Sequence, residues 1–293
     1  MFAAFPGWYA TMFSGLYLAL VLLLTALIIR GVSFEYRGKR DAARWRHTWD
    51  WALTVGSVLA PLLIGIALGD LLAGLPIDSA QNYTGSFWDL FRPYAVFTGV
   101  TFVLICLLHG ATFLCLKTTG EMHERSRLQA RRIAPFAVAA VTGFVIWTHV
   151  TASSTFFLSL IELLAILAVL AAALLVYARR DGFAFATTTV TIAACILAIF
   201  TDLYPNLMVS STSTAYNLTV HNAASPPYSL KAMTIVVVVF LPLVLIYQAW
   251  TYYVFRRRVS ASEFQPPAPT SAAAPEPEPR PTAPDDAAAR RAT

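Results

Sequence analysis

Seven apolar runs, separated by connections that alternate between rich and poor in Lys and Arg, constrain this chain more than any other feature. They lie near 8–29, 51–72, 94–116, 133–150, 156–178, 183–202 and 231–254. Each is close to the ~20 residues that a helix needs to cross a bilayer. Hydrocarbon offers no water to a free peptide group, so each run is expected to be an α-helix, which closes its backbone hydrogen bonds within the segment. The chain is 57% hydrophobic and 13% charged, against about 25% charged for soluble domains. Too little polar surface is left to face water all round. The expected fold class is all-α: a polytopic membrane helical bundle of seven transmembrane helices within residues 1–258.

The cations set an expected orientation. The first connection carries Arg30, Arg37, Lys39, Arg40, Arg44 and Arg46, and the second only Arg92. The third carries Lys117, Arg125, Arg127, Arg131 and Arg132, and the fourth, 151–155, none. The fifth has Arg179 and Arg180, the sixth none between 203 and 230, and Arg256, Arg257 and Arg258 follow the last span. Lys and Arg accumulate on the cytoplasmic side. The N-terminus is therefore expected outside and the C-terminus in the cytoplasm, which an odd number of spans also requires. The net charge of +5 is largely topological, with +7 on residues 1–258 and −2 on the tail. Cations distributed in this way face lipid, and nucleic acid is not an expected partner. Residues 259–293, rich in Pro and Ala, cannot bury a core and are expected to form a disordered cytoplasmic tail.

Ionisable groups inside spans are candidates for function, because burying charge in lipid is costly. Glu35, at the end of the first span, reads either as a carboxylate that takes protons from the cytoplasm or as an interfacial ion pair with Arg37 or Arg30. Residue type alone favours the ion pair. Asp50, between Trp49 and Trp51, suits a helix N-terminus within an aromatic belt. His109 lies well inside a span but has no partner at similar depth for a bis-histidine haem, so a packed, hydrogen-bonded histidine is expected. Glu162 is expected about two turns into the fifth span, facing protein or water; a proton or quinol path and a bond to a neighbouring helix both remain open. Asp70 and Asp202, near the outer span ends, are expected to reach water. Gly65 and Gly69 have the spacing that lets helices approach closely in lipid. Cys106, Cys115 and Cys195 have no paired spacing, and nucleotide- and metal-binding motifs are absent from the sequence. No cofactor or metal is expected to be bound by this chain.

Several separate segments, in order, resemble subunit II of the cytochrome bd-type quinol oxidases. They are FAAFPGWYATMFSG at 2–15, GVSFEYRGK at 31–39, RWRHTWDW at 44–51, LHGATFLCLKTTGEMHERSR at 108–127, NLTVHNA at 217–223 and SLKAMTIVVVVFLPLVLIYQAWTYYVF at 229–255. The resemblance covers residues 1–258 and implies a non-haem subunit in a multi-pass assembly of the bacterial cell membrane. Its implied partner is a haem-bearing subunit I, forming a heterodimer that holds haem b and haem d, oxidises quinol and reduces dioxygen to water. Subunit II would support assembly and proton delivery from the cytoplasm, with no catalytic activity of its own. The acid of the family's GxxF[DE]YR segment belongs to that proton route, and here it is Glu35; the resemblance reverses the odds in favour of a proton relay.

The family pattern has nine spans against the seven found here. The GFDFGVG-like and WDGNEVW-like segments of its first two helices do not occur, and residues 1–6 resemble the end of the second. The expectation is a start placed too late, at an internal Met codon, rather than a truncation. As written, the chain lacks the WDGN-type acid of the route that Glu35 would serve. Two other classes compete. A transporter or permease subunit calls for polar groups clustered at mid-membrane, where these spans carry almost no charge. A structural scaffold predicts that every acid can be neutralised without kinetic effect.

Overall fold

The computed structural model describes residues 2–152 and 159–258. Eight α-helices dominate: α1 (Pro6–Gly15), α2 (Tyr17–Tyr36), α3 (Ala43–Ala73), α4 (Pro93–Lys117), α5 (Gly120–Ala152), α6 (Leu160–Tyr177), α7 (Asp181–Leu203) and α8 (Pro227–Val254). Seven are long and apolar enough to cross a membrane, as expected. The expectation of disorder at 259–293 falls outside the described residues.

Several of the expected boundaries move. The first run divides: α1 ends at Gly15, Leu16 leaves helical geometry at ψ 13°, and α2 begins at Tyr17. Hydrogen bonds from Leu16 N to Met12 O and from Leu20 N to Leu16 O make this a bend rather than a loop. Its cause is local. A Cβ on Gly15 would lie 2.8 Å from Cγ of Tyr83, so the loop ring sits against bare backbone. The third basic connection is also mostly helical. Gly120, at φ +67°, turns the chain just after α4, and α5 starts there rather than at 133. At ~1.5 Å per residue, its 33 residues exceed the ~30 Å hydrocarbon thickness, so the segment bearing Arg125, Arg127 and Arg131 extends beyond it.

Helices α2, α3, α4 and α5 pack in sequence; α6 packs on α5 and α7, and α7 returns against α4. The α3–α4 contact is made on small residues. A Cβ on Gly65 would lie 2.7 Å from Gly99 Cα, and one on Gly69 would lie 2.8 Å from Ala95 Cα. The expected close approach is thus within the chain, and the backbone surfaces meet without side chains between them.

The ends of the bundle differ. At the end carrying few cations, residues 74–92 and 204–226 fold into a cap. It includes an antiparallel ribbon of β1 (Asn206–Met208) and β2 (Leu218–Thr219), an element absent from the sequence reading. Val209 N donates to Leu71 O, Leu75 N to Val209 O, and the indole of Trp8 to Leu207 O at 3.0 Å. The largest buried cluster, including Leu71, Leu75, Tyr94, Phe144, Met208 and Leu218, lies beneath this cap. A smaller, Ala-rich cluster around Leu108, Ala130, Ala134 and Ala137 serves the other end.

Gly65→Leu should lower the unfolding temperature of the purified assembly, by an overpacking cost of about 1–3 kcal/mol. Gly182→Ala, where an added Cβ meets nothing within 4 Å, should leave it nearly unchanged. Differential scanning fluorimetry in one detergent compares the two.

Candidate functional site

The charged junction 30–51 is a built hairpin. Helix α2 ends at Tyr36, a single 3-10 turn covers Arg37–Lys39, and α3 starts at Ala43. Arg37 Nε donates to Asp50 Oδ1 at 2.5 Å, and the Trp45 indole donates to Tyr36 O at 2.7 Å. The Tyr36 and Trp45 rings both pack against Trp49, with centroids 5.3 and 5.5 Å away. These contacts tie the end of α2 to the first turns of α3 and fix what lies between them. Asp50 therefore lies two turns inside α3 as the partner of Arg37, and does not cap a helix N-terminus as expected.

Glu35 occupies the last turn of α2. Its side chain is 74% exposed, and Oε1 lies 3.3 Å from Lys39 Nζ, one turn on. The ion pair expected with Arg37 or Arg30 is made with Lys39 instead, because Arg37 is taken by Asp50. A pair this exposed contributes little to stability, so the fold does not need Glu35 at this position.

A second basic-end cluster was not singled out in the sequence. Asp181, the first residue of α7, receives Arg127 Nη2 at 2.9 Å and lies 3.6 Å from His123 Nε2. His123 Nδ1 bonds to Cys115 O at 2.8 Å. All three side chains are largely buried, so the charged start of α5 is clamped onto the α6–α7 turn. The signal was an acid directly after Arg179 and Arg180, at a helix start.

At the capped end, Glu162 is fully buried in the first turn of α6, which begins at Leu160 rather than at 156. Its carboxylate accepts from Ser159 N at 2.6 Å and lies 3.1 and 3.2 Å from His149 Nδ1 on α5. Of the two readings left open, a bond to a neighbouring helix is present, from α6 to α5. The Ser-x-x-Glu spacing of a capping box was legible, but the histidine partner was not. Asp70 is a correction. It is fully buried, and neither carboxylate oxygen has a hydrogen-bond partner, because residues 74–92 and 204–226 close over the end of α3. The cation acting on it is Arg92, whose guanidinium bonds to Ala73 O and Ser211 Oγ. Asp202 is half-buried, with Oδ2 unpartnered, so its expected access to water is likewise reduced. In the cap itself, the Ser86 backbone N–H holds the Asp89 carboxyl below the usual range, and burial pushes the Tyr83 phenol up to about 12.

His109 is the packed histidine expected: Nδ1 lies 2.8 Å from Thr188 Oγ1, and the ring stacks on Phe185 at 4.6 Å. Its neighbours do not suit a bis-histidine haem, since His47, His123 and His149 bond at the two ends of the bundle. Among the described residues no group of three or more His, Cys, Asp or Glu is placed to hold a metal ion.

A seven-span bundle with this junction matches a known family. The family model for cytochrome bd terminal oxidase subunit II matches residues 1–255. The cytochrome bd ubiquinol oxidase subunit 2 of Bacillus subtilis is 41% identical over 90% of this chain and 79% of its own length. The cytochrome bd-I ubiquinol oxidase subunit 2 of Escherichia coli K12 is 33% identical over 90% of this chain and 80% of its own. A probable cytochrome oxidase subunit 2 of Haemophilus influenzae is 33% identical over 89% and 79%. The chain belongs to the cytochrome bd terminal oxidase subunit II family. It is thus a multi-pass bacterial membrane protein and a subunit of an oxidoreductase complex that includes a subunit I.

Glu162→Ala removes the buried carboxylate that accepts from Ser159 N and lies beside His149, and should destabilise the assembly by about 1–3 kcal/mol. Glu162→Gln keeps an acceptor for Ser159 N and should recover part of the loss. Thermal unfolding of the two variants checks the order.

Proposed function

We propose that this chain is the non-haem subunit of a quinol:oxygen oxidoreductase, supporting assembly of a haem-bearing subunit I and feeding cytoplasmic protons toward its site of dioxygen reduction. Glu35 is the entry relay. The observation that carries this reading is the geometry of the 30–51 junction. The clamped hairpin leaves Glu35 exposed at the basic end of α2, held only by an exposed pair with Lys39.

A relay must gain and lose a proton and must lie where another surface can take it on. A carboxylate buried and saturated with bonds, as Glu162 is, does neither easily. Glu35 projects from the chain, and docking of subunit I against α2 would remove water from it and raise its proton affinity. Quinol and the two haems belong to that partner. The Lys and Arg distribution supports a cytoplasmic junction and C-terminal end of α8, with the cap outside. Protons consumed at dioxygen then come from the cytoplasm while quinol releases protons outside, and this separation charges the membrane.

Glu35→Gln in the assembled complex should slow oxygen consumption by about tenfold or more, within the range for positioned proton-transfer groups. The haem difference spectrum should stay intact. Turnover equal to wild type across pH would assign Glu35 a structural role. Asp50→Asn, which loosens the clamp without removing the relay, should have a smaller effect in the same oxygen-electrode assay.

A further inference from the structure

We infer that His123 is a pH-sensitive latch at the basic end of the bundle: its imidazolium draws the start of α5 onto the first residue of α7, and its neutral form loosens that contact. Three helices meet at the ring. Nδ1 lies 2.8 Å from the carbonyl oxygen of Cys115 on α4, and Nε2 lies 3.6 Å from Asp181 Oδ2 on α7. A carbonyl oxygen only accepts, so Nδ1 carries a hydrogen in either charge state of the ring. The second nitrogen then decides the contact with Asp181. In the neutral ring Nε2 presents a lone pair to a carboxylate oxygen, and the two repel. In the imidazolium Nε2 carries a hydrogen, and the contact becomes a charge-assisted pair. The ring is thus oriented so that only its charged form suits both neighbours.

The surroundings favour that form. The His123 and Asp181 side chains are 14% and 15% exposed, so water and salt screen the pair little. Cys115 Sγ, 3.9 Å from His123 O, ties the backbone of the same residue to α4. Asp181 is held in place by Arg127 Nη2 at 2.9 Å, and Arg127 Nη1 reaches Glu124 Oε1 at 3.3 Å. Asp181, Arg127 and Glu124 are the ionised groups that act at Cys115, whose carbonyl holds the ring. With the imidazolium these groups form two acids and two cations in balance; with the neutral ring one negative charge is left over. The remaining cations of these elements are engaged or exposed. Arg125 pairs with Glu121, Arg131 donates to Tyr177 O and Lys117 to Phe255 O, and Arg179 and Arg180 are exposed. Histidine changes its charge between about pH 5 and pH 8, the range in which the latch would operate.

Hydrogen-exchange mass spectrometry of the purified complex at about pH 6 and about pH 8 tests this. A contact made by the protonated form is present at low pH and is lost as pH rises. In wild type, protection of amides 124–131, corrected for intrinsic exchange, should fall by about tenfold from the lower pH to the higher, the effect of one charge-assisted bond. His123→Asn keeps an N–H for Cys115 O but has no charge to gain, and should exchange at both pH values as wild type does at the higher one. Asp181→Asn should also remove the pH dependence, with lower protection throughout because Arg127 loses its acceptor. Equal protection of wild type at the two pH values would overturn the latch, a result that needs no variant. A His123→Asn complex that keeps the wild-type change would overturn it by placing the titration elsewhere. A His123→Asn loss of the same size at both pH values would overturn it as well, leaving the ring a packing role only.

Discussion

Helices α3 and α4 meet through Gly65, Gly69 and Gly99 so closely that a single methyl group at any of these positions would overlap the facing helix. Much of the rest depends on this approach. In lipid there is little hydrophobic drive to bring helices together, and contact must come from packing of bare surfaces. Once α3 is fixed against α4, both of its ends are placed. One end carries Asp50 and the aromatic clamp of the junction; the other carries Asp70 under the cap. The chain thus holds its two polar regions a full membrane thickness apart on one rigid helix.

The acids of the chain are held in different ways. At the capped end, carboxylates are sealed: Glu162 is saturated by Ser159 and His149, and Asp70 is enclosed near Arg92. At the basic end, Asp181 is likewise bonded and largely buried, whereas Glu35 is exposed and weakly held. Buried, fully bonded acids serve to lock helices together, whereas an acid left free at an edge is available to a partner.

Much of this was legible before the fold. Hydropathy and length gave the seven spans because hydrocarbon admits few alternatives to helix, and Gly65 and Gly69 gave a close contact because nothing else at that spacing is so small. The bend at Leu16 was not legible, since it depends on Tyr83, nearly seventy residues away in the chain. The burial of Asp70 was hidden for a similar reason: only the folded loops show that the outer end of α3 is covered. Asp50 was misplaced because the charged residues before it carry no hydropathy signal for a helix, although α3 already runs through them. The family resemblance supplied Glu35, which residue type alone would have assigned to an ion pair.

The central claim is that this bundle works as one subunit of a haem-bearing oxidase. The direct test is a reduced-minus-oxidised spectrum of the complex recovered from native membranes through a C-terminal tag on this chain. The account predicts bands of b- and d-type haem that co-purify with the tag. A folded, membrane-inserted chain recovered without haem would contradict it.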